Sequence, residues 1–110
     1  MKNGIYEATF TTSIGTWGSA VMLIRNGSFV GADGLQFYRG KIDQTLDDLR
    51  VIMEVTRHNF STESAFGNES MFTLNWRGKA IDESTFKMEC DGKEPPLTIY
   101  VTAALLKEKG

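Results

Sequence analysis

A chain of 110 residues, 41% hydrophobic and 24% charged, has the size and make-up of one globular domain, 1–110, with a single core. Its 12 basic and 14 acidic residues leave a net charge of −2, spread without a basic block, which argues against direct nucleic-acid binding. Cys90 is the only cysteine, so no internal disulfide can form, and no apolar run is long enough to span a bilayer as a helix.

The chain opens Met1-Lys2-Asn3-Gly4 and then alternates at once. It shows no apolar core of a signal peptide, so the expected compartment is the cytoplasm. Ile5 to Thr12 places Tyr6, Ala8 and Phe10 on one face and Glu7, Thr9 and Thr11 on the other. Trp17 to Arg25 follows, apolar on both faces through Ala20, Val21, Met22, Leu23 and Ile24. Such a strand is covered twice, by the core and by something else. Met22 and Ile24 are the candidate outer strip, and a symmetric dimer is the commonest cover. Asn26-Gly27 then reads as a type I′ hairpin turn, because both residues tolerate positive φ.

Ser28 to Ala32 is the third run, Asp33-Gly34 a second tight turn, and Leu35 to Ile42 the fourth run. Leu49 to Phe60 alternates as the fifth and Met71 to Arg77 as the sixth. Thr85 to Cys90 is the seventh and Leu97 to Leu106 the eighth. Thr45 to Val51 or Ser61 to Phe66 could each hold one helical turn. Gly18 and Gly40 interrupt strands, where a glycine marks a bend or bulge.

Eight short runs without helical periodicity define an all-β fold. Closing the sheet on itself removes its edges. The expectation is an eight-stranded antiparallel meander barrel of the calycin or lipocalin type, with a two-sheet sandwich as the alternative. A barrel of that size is filled by side chains or holds one small ligand. Phe37, Phe72, Leu74, Trp76, Phe86 and Met88 are the candidate cavity lining, and a small apolar ligand is the occupant they suit.

Catalytic and metal-binding patterns are sparse. His58 is the only histidine, and with Cys90 it makes too few ligands for a zinc site. No nucleophile elbow, phosphate loop or dinucleotide fingerprint is present. His58 reads as a polar residue at a strand end, Cys90 as a small core residue and Asp33 as a turn residue bonded to its own backbone. No enzyme activity and no cofactor or metal are expected. Asp43-Gln44-Thr45-Leu46-Asp47-Asp48 is the one concentration of acid. It reads either as a solvated loop or as a patch for a basic partner.

The segments NGIYEATF, WGSAVMLIRNG, GADGLQFYRG and VTRHN, with FTLNWRG and LTIYV beyond them, resemble the GrlR family in order and spacing. These are bacterial proteins typified by the negative regulator of a type III secretion system. The resemblance implies a calycin-like barrel, a homodimer, and a regulator that binds a partner protein, a transcriptional activator, rather than binding DNA or catalysing a reaction; no membrane partner is expected. In the founding member a surface run of four alternating acidic residues serves that binding. The matching region here carries Asp43, Asp47 and Asp48, interrupted by Gln44, Thr45 and Leu46.

Overall fold

Alternation with a period of two becomes a closed wall. In a computed structural model, which describes residues 2–15, 17–59, 70–91 and 98–108, the chain forms eight strands and no helix among those residues. They are β1 (Gly4–Thr12), β2 (Trp17–Arg25), β3 (Ser28–Ala32), β4 (Gln36–Thr45), β5 (Asp48–Arg57), β6 (Met71–Ala80), β7 (Thr85–Asp91) and β8 (Thr98–Glu108). Each pairs antiparallel with the next, and β8 returns to β1 to close the barrel. This is the meander that the alternating runs predict.

The inward row is the core. Tyr6, Ile24, Val55, Phe86, Cys90, Ile99 and Ala103 are each at most 1% exposed. Size is matched across the wall: Ala8 on β1 faces Ala20 on β2 and Ala103 on β8, while β5 and β6 contribute Met53, Phe72, Leu74 and Trp76. Small residues on one side leave room for large ones from the other, which is how a narrow barrel fills. Tyr6 and Phe86 pack with ring centroids 5.8 Å apart at 50°, and the Tyr6 hydroxyl donates to the Lys2 carbonyl at 2.6 Å.

Turn chemistry follows the residues. Asn26 and Gly27 have φ of 51° and 77°, as a type I′ hairpin requires. Asp33 Oδ1 accepts from the Leu35 and Gln36 amides, each at 2.8 Å. Gly18 and Gly40 stand opposite Phe10 and Phe29 in their ladders, and each ring occupies the space a Cβ would need.

Two local expectations change. The stretch from Thr45 to Val51 is a hairpin, not a helical turn: Thr45 pairs with Asp48, and only Leu46 and Asp47 lie between the strands. The other candidate turn, Ser61 to Phe66, falls outside the described residues. β4 and β6 also run on three residues beyond their predicted ends, to Thr45 and Ala80. Ladder hydrogen bonds carry a strand past the last apolar residue of its pattern.

Cys90 illustrates the closed interior. Burial first, then the charge of Asp91, pushes its thiol up to about 12, against a smaller downward pull from Arg77. The folded state binds the thiol proton more tightly than the unfolded chain. That contribution is fully present below pH 9.0 and is lost as the pH rises toward about 12. At neutral pH a thiol reagent should label Cys90 only as fast as the barrel opens, and at once in denaturant. Native labelling at the rate of a free thiol would contradict the buried placement.

Candidate functional site

The interior, the outer face and the two ends are the surfaces available. Inside, Phe72, Leu74, Trp76, Phe86 and Met88 all point inward as expected. Phe37 does not. It is 45% exposed on the outer wall, because its neighbour Tyr38 takes the inward position. The space left inside is about 30 Å³, lined by apolar side chains that include Ala8, Ala20, Trp76, Phe86 and Met88. Small-molecule pockets run to roughly 300–1,000 Å³, so this interior is a packed core rather than a formed ligand chamber.

Strand β2 is also reversed relative to expectation. Met22 and Ile24 lie in the core at 7% and 1% exposure, so they cannot form an outer strip. Cross-strand partners share a face, and the ladder sets Met22 opposite Tyr6 and Val21 opposite Glu7. The outer apolar residues of β2 are therefore Val21 and Leu23.

A meander sends alternate turns to opposite ends. The β3–β4 turn and the end of β5 share the first end, which carries a polar cluster among the described residues. Gln36 and Arg57 are buried register partners there, at 1% and 6% exposure. The Tyr38 hydroxyl donates to Asp33 Oδ2 and lies 3.0 Å from Gln36 Oε1. The Leu35 carbonyl accepts from the His58 and Asn59 amides at 2.8 and 3.1 Å, and Asn59 Nδ2 donates to the Gly34 carbonyl at 3.3 Å. His58 Nε2 lies 3.1 Å from the Asp33 carbonyl, and its ring stacks on Phe37 at 6.1 Å. Asp33 and His58 thus strap the barrel mouth. Among the described residues no three His, Cys, Asp or Glu side chains gather as a metal would need.

The second end collects the β2–β3, β4–β5 and β6–β7 turns with the N-terminal residues. Asp47 and Asp48 lie here, joined by Asp82 and Glu83 from the β6–β7 turn. The two turns are tied together: the Ala80 amide donates to the Asp47 carbonyl at 2.8 Å. Lys2, Gln44, Asp47, Ala80, Asp82 and Glu83 line a shallow depression of about 430 Å³. Lys2 lies 3.5 Å from Glu83 and Lys79 3.8 Å from Asp48, both exposed pairs. Asp43 does not join this group, because it stands two rungs back along β4, directly across from Arg50.

At the tip sits Leu46, with φ of 55° and 89% exposure. A bulky residue in the left-handed region is uncommon, and the conformation costs about 1 kcal/mol. Gln44 Nε2 holds it by donating to the Leu46 carbonyl at 2.9 Å. Asp47 and Asp48 belong to the acidic run visible in the sequence, whereas Asp82 and Glu83 lie apart from it. Strand parity was the available signal, since turns four-five and six-seven of a meander share an end.

These features define a class: a closed, antiparallel, eight-stranded meander barrel with a packed interior, a polar strap at one end and an acidic rim at the other. No family model and no curated protein matches the chain.

Proposed function

We propose that this barrel is a non-enzymatic regulatory protein that acts by protein–protein binding, with its acidic end as the contact surface. The resemblance to the GrlR family supports the reading and makes the partner a transcriptional activator that presents a basic segment. The observation that carries it is the tip itself. Leu46 is held exposed in an unfavourable backbone conformation, immediately before Asp47 and Asp48 and at the same barrel end as Asp82 and Glu83. Stored strain of this kind concentrates where a surface is used. An apolar knob set among carboxylates suits a segment carrying both lysine or arginine and an apolar residue. The outward row also carries Glu7, Arg25, Arg39, Lys41 and Glu54, which favours a barrel that works in water over one that faces lipid.

The alternative is a small apolar ligand inside the barrel. Its wholly apolar cavity speaks for it, and the cavity volume of about 30 Å³ speaks against it.

Two variants separate binding from folding. Leu46→Gly relieves the tip and should leave the melting temperature unchanged or slightly higher. A variant combining Asp47→Asn, Asp48→Asn, Asp82→Asn and Glu83→Gln should keep the fold. Both should lose affinity for the activator captured by the wild-type protein, on the order of tenfold or more for the charge variant, and wild-type capture should fall with added salt. Unchanged affinity in both variants would remove the acidic end from the reading.

A further inference from the structure

Two asparagines precede glycine, in Asn3-Gly4 and Asn26-Gly27, and the fold ties them together. Asn3 Oδ1 accepts from the Asn26 amide at 2.9 Å, and Asn3 Nδ2 donates to Asn26 Oδ1 at 3.2 Å. A glycine after an asparagine leaves the next backbone nitrogen unshielded, because no Cβ stands in the way of its attack on the side-chain amide. The same reactive dipeptide thus occurs twice in one cluster, in two different settings. Gly4 is buried in β1 and paired on both sides, with Ile24 and Glu108. Its backbone is fixed in the wall, so Asn3 cannot close onto it without opening β1. Gly27 is exposed in the β2–β3 turn, and its amide makes no hydrogen bond among the described residues. Its carbonyl is the engaged group, accepting from the Ile42 amide at 2.7 Å.

We propose that Asn26 is a site of spontaneous deamidation in the folded protein, and that Asn3 restrains it. Solvent base takes the proton from the Gly27 nitrogen. That nitrogen bonds to Asn26 Cγ, the Cγ–Nδ2 bond breaks, and Nδ2 leaves as ammonia with a proton from water. The succinimide that remains adds water at one of its two carbonyl carbons and opens to aspartate or isoaspartate. The balance is one water consumed and one ammonia released, with no change of oxidation state. The bonds to Asn3 oppose the first step, because Asn26 Cγ must swing toward Gly27 and away from Asn3.

The two products differ in what they do to the barrel. Aspartate keeps the turn, because Asp-Gly suits the same pair of positive φ angles. It also adds a carboxylate to the end that already holds Asp47, Asp48, Asp82 and Glu83. Isoaspartate puts one extra methylene into the main chain. A two-residue turn has no slack to absorb it, so the pairing of Arg25 with Ser28 is lost first. The chemistry stands or falls independently of the partner reading.

Trypsin cuts after Lys2, Arg25 and Arg39, so peptides 3–25 and 26–39 each carry a single asparagine, Asn3 in one and Asn26 in the other. Peptide mass spectrometry after incubation in mildly alkaline buffer tests the proposal, with an unincubated digest as the zero. In the folded protein, peptide 26–39 should gain about one dalton, at a rate about fivefold or more above that of peptide 3–25. In denaturant the two rates should agree within about twofold, because both sites precede glycine. Asn3→Ala should speed the gain at Asn26 about fivefold, the effect of losing the restraining hydrogen bonds. An unshifted 26–39 peptide from the folded protein, equal rates at the two sites before unfolding, rates that stay unequal in denaturant, or an Asn3→Ala rate no faster than wild type would each overturn the proposal.

Discussion

Gly40→Ala should lower the stability of the barrel by about 3 kcal/mol and its melting temperature by on the order of 10–20 °C. A Cβ at this position would lie 2.0 Å from the Ile52 carbonyl oxygen and 2.9 Å from the ring of Phe29. The oxygen is backbone and belongs to the neighbouring strand, so it cannot swing aside as a flexible side chain could. β4 and β5 would have to part at the Gly40–Met53 rung. The backbone φ of Gly40 is open to any residue, so the cost is steric alone. Gly34→Ala is the matched control, because a Cβ there meets nothing within 4 Å. Thermal melts of the two variants check the claim. Equal melting temperatures would mean that β4 and β5 are not this close.

Asp33→Ala should cost about 3 kcal/mol at neutral pH, and Asp33→Asn about 1 kcal/mol. One carboxylate serves three donors: the Leu35 and Gln36 amides on Oδ1 and the Tyr38 hydroxyl on Oδ2. Gln36 is 1% exposed, so an amide freed there cannot turn to water. Asparagine keeps an acceptor for the turn and loses the charge-assisted bond to Tyr38. Tyr38→Phe alone should cost about 1–2 kcal/mol, and a double-mutant cycle with Asp33 should show coupling of about 1–2 kcal/mol. Denaturant melts supply all four corners, and additive losses would show that the two side chains act separately.

The same pair makes the fold sensitive to alkali. Burial, then the hydrogen bond to Asp33 and its charge, raises the Tyr38 phenol above its ordinary value of 10.0. The stability from keeping that phenol neutral is complete below pH 10.0 and is lost as the pH rises beyond it. Tyr38→Phe should blunt the loss between neutral pH and pH 11 relative to the wild-type protein.

Most of the wall was legible in the sequence, because strands with one polar and one apolar face declare their own orientation. β1 is the clear case, with Tyr6, Ala8 and Phe10 inward and Glu7 and Thr9 outward. The Asn26-Gly27 hairpin and the Asp33 turn were also legible, since each rests on contacts a few residues apart. β2 was not. Both its faces are apolar, so its pattern is symmetric under the one shift that matters, and Met22 and Val21 are equivalent until a neighbour is known. Phe37 and Tyr38 posed the same problem. Tyr38 points inward, where Asp33 and Gln36 satisfy its hydroxyl, and Phe37 is left outside.

The candidate site divides in the same way. Asp47 and Asp48 are adjacent in the chain and could be seen together. Asp82 and Glu83 lie more than thirty residues on and reach them only because a meander returns alternate turns to one end. Asp43, close in sequence, is carried away by the rise of β4 and set against Arg50. Local alternation and turn chemistry specify the strands, their number and their turns, and they put a closed barrel ahead of a two-sheet sandwich; the β1–β8 ladder is what closes the wall. Which face of β2 is buried, how little space the interior keeps and which acids share an end emerge from the folded barrel. Each of these depends on register between strands, and register is set by the partner across the ladder rather than by the residues on either side.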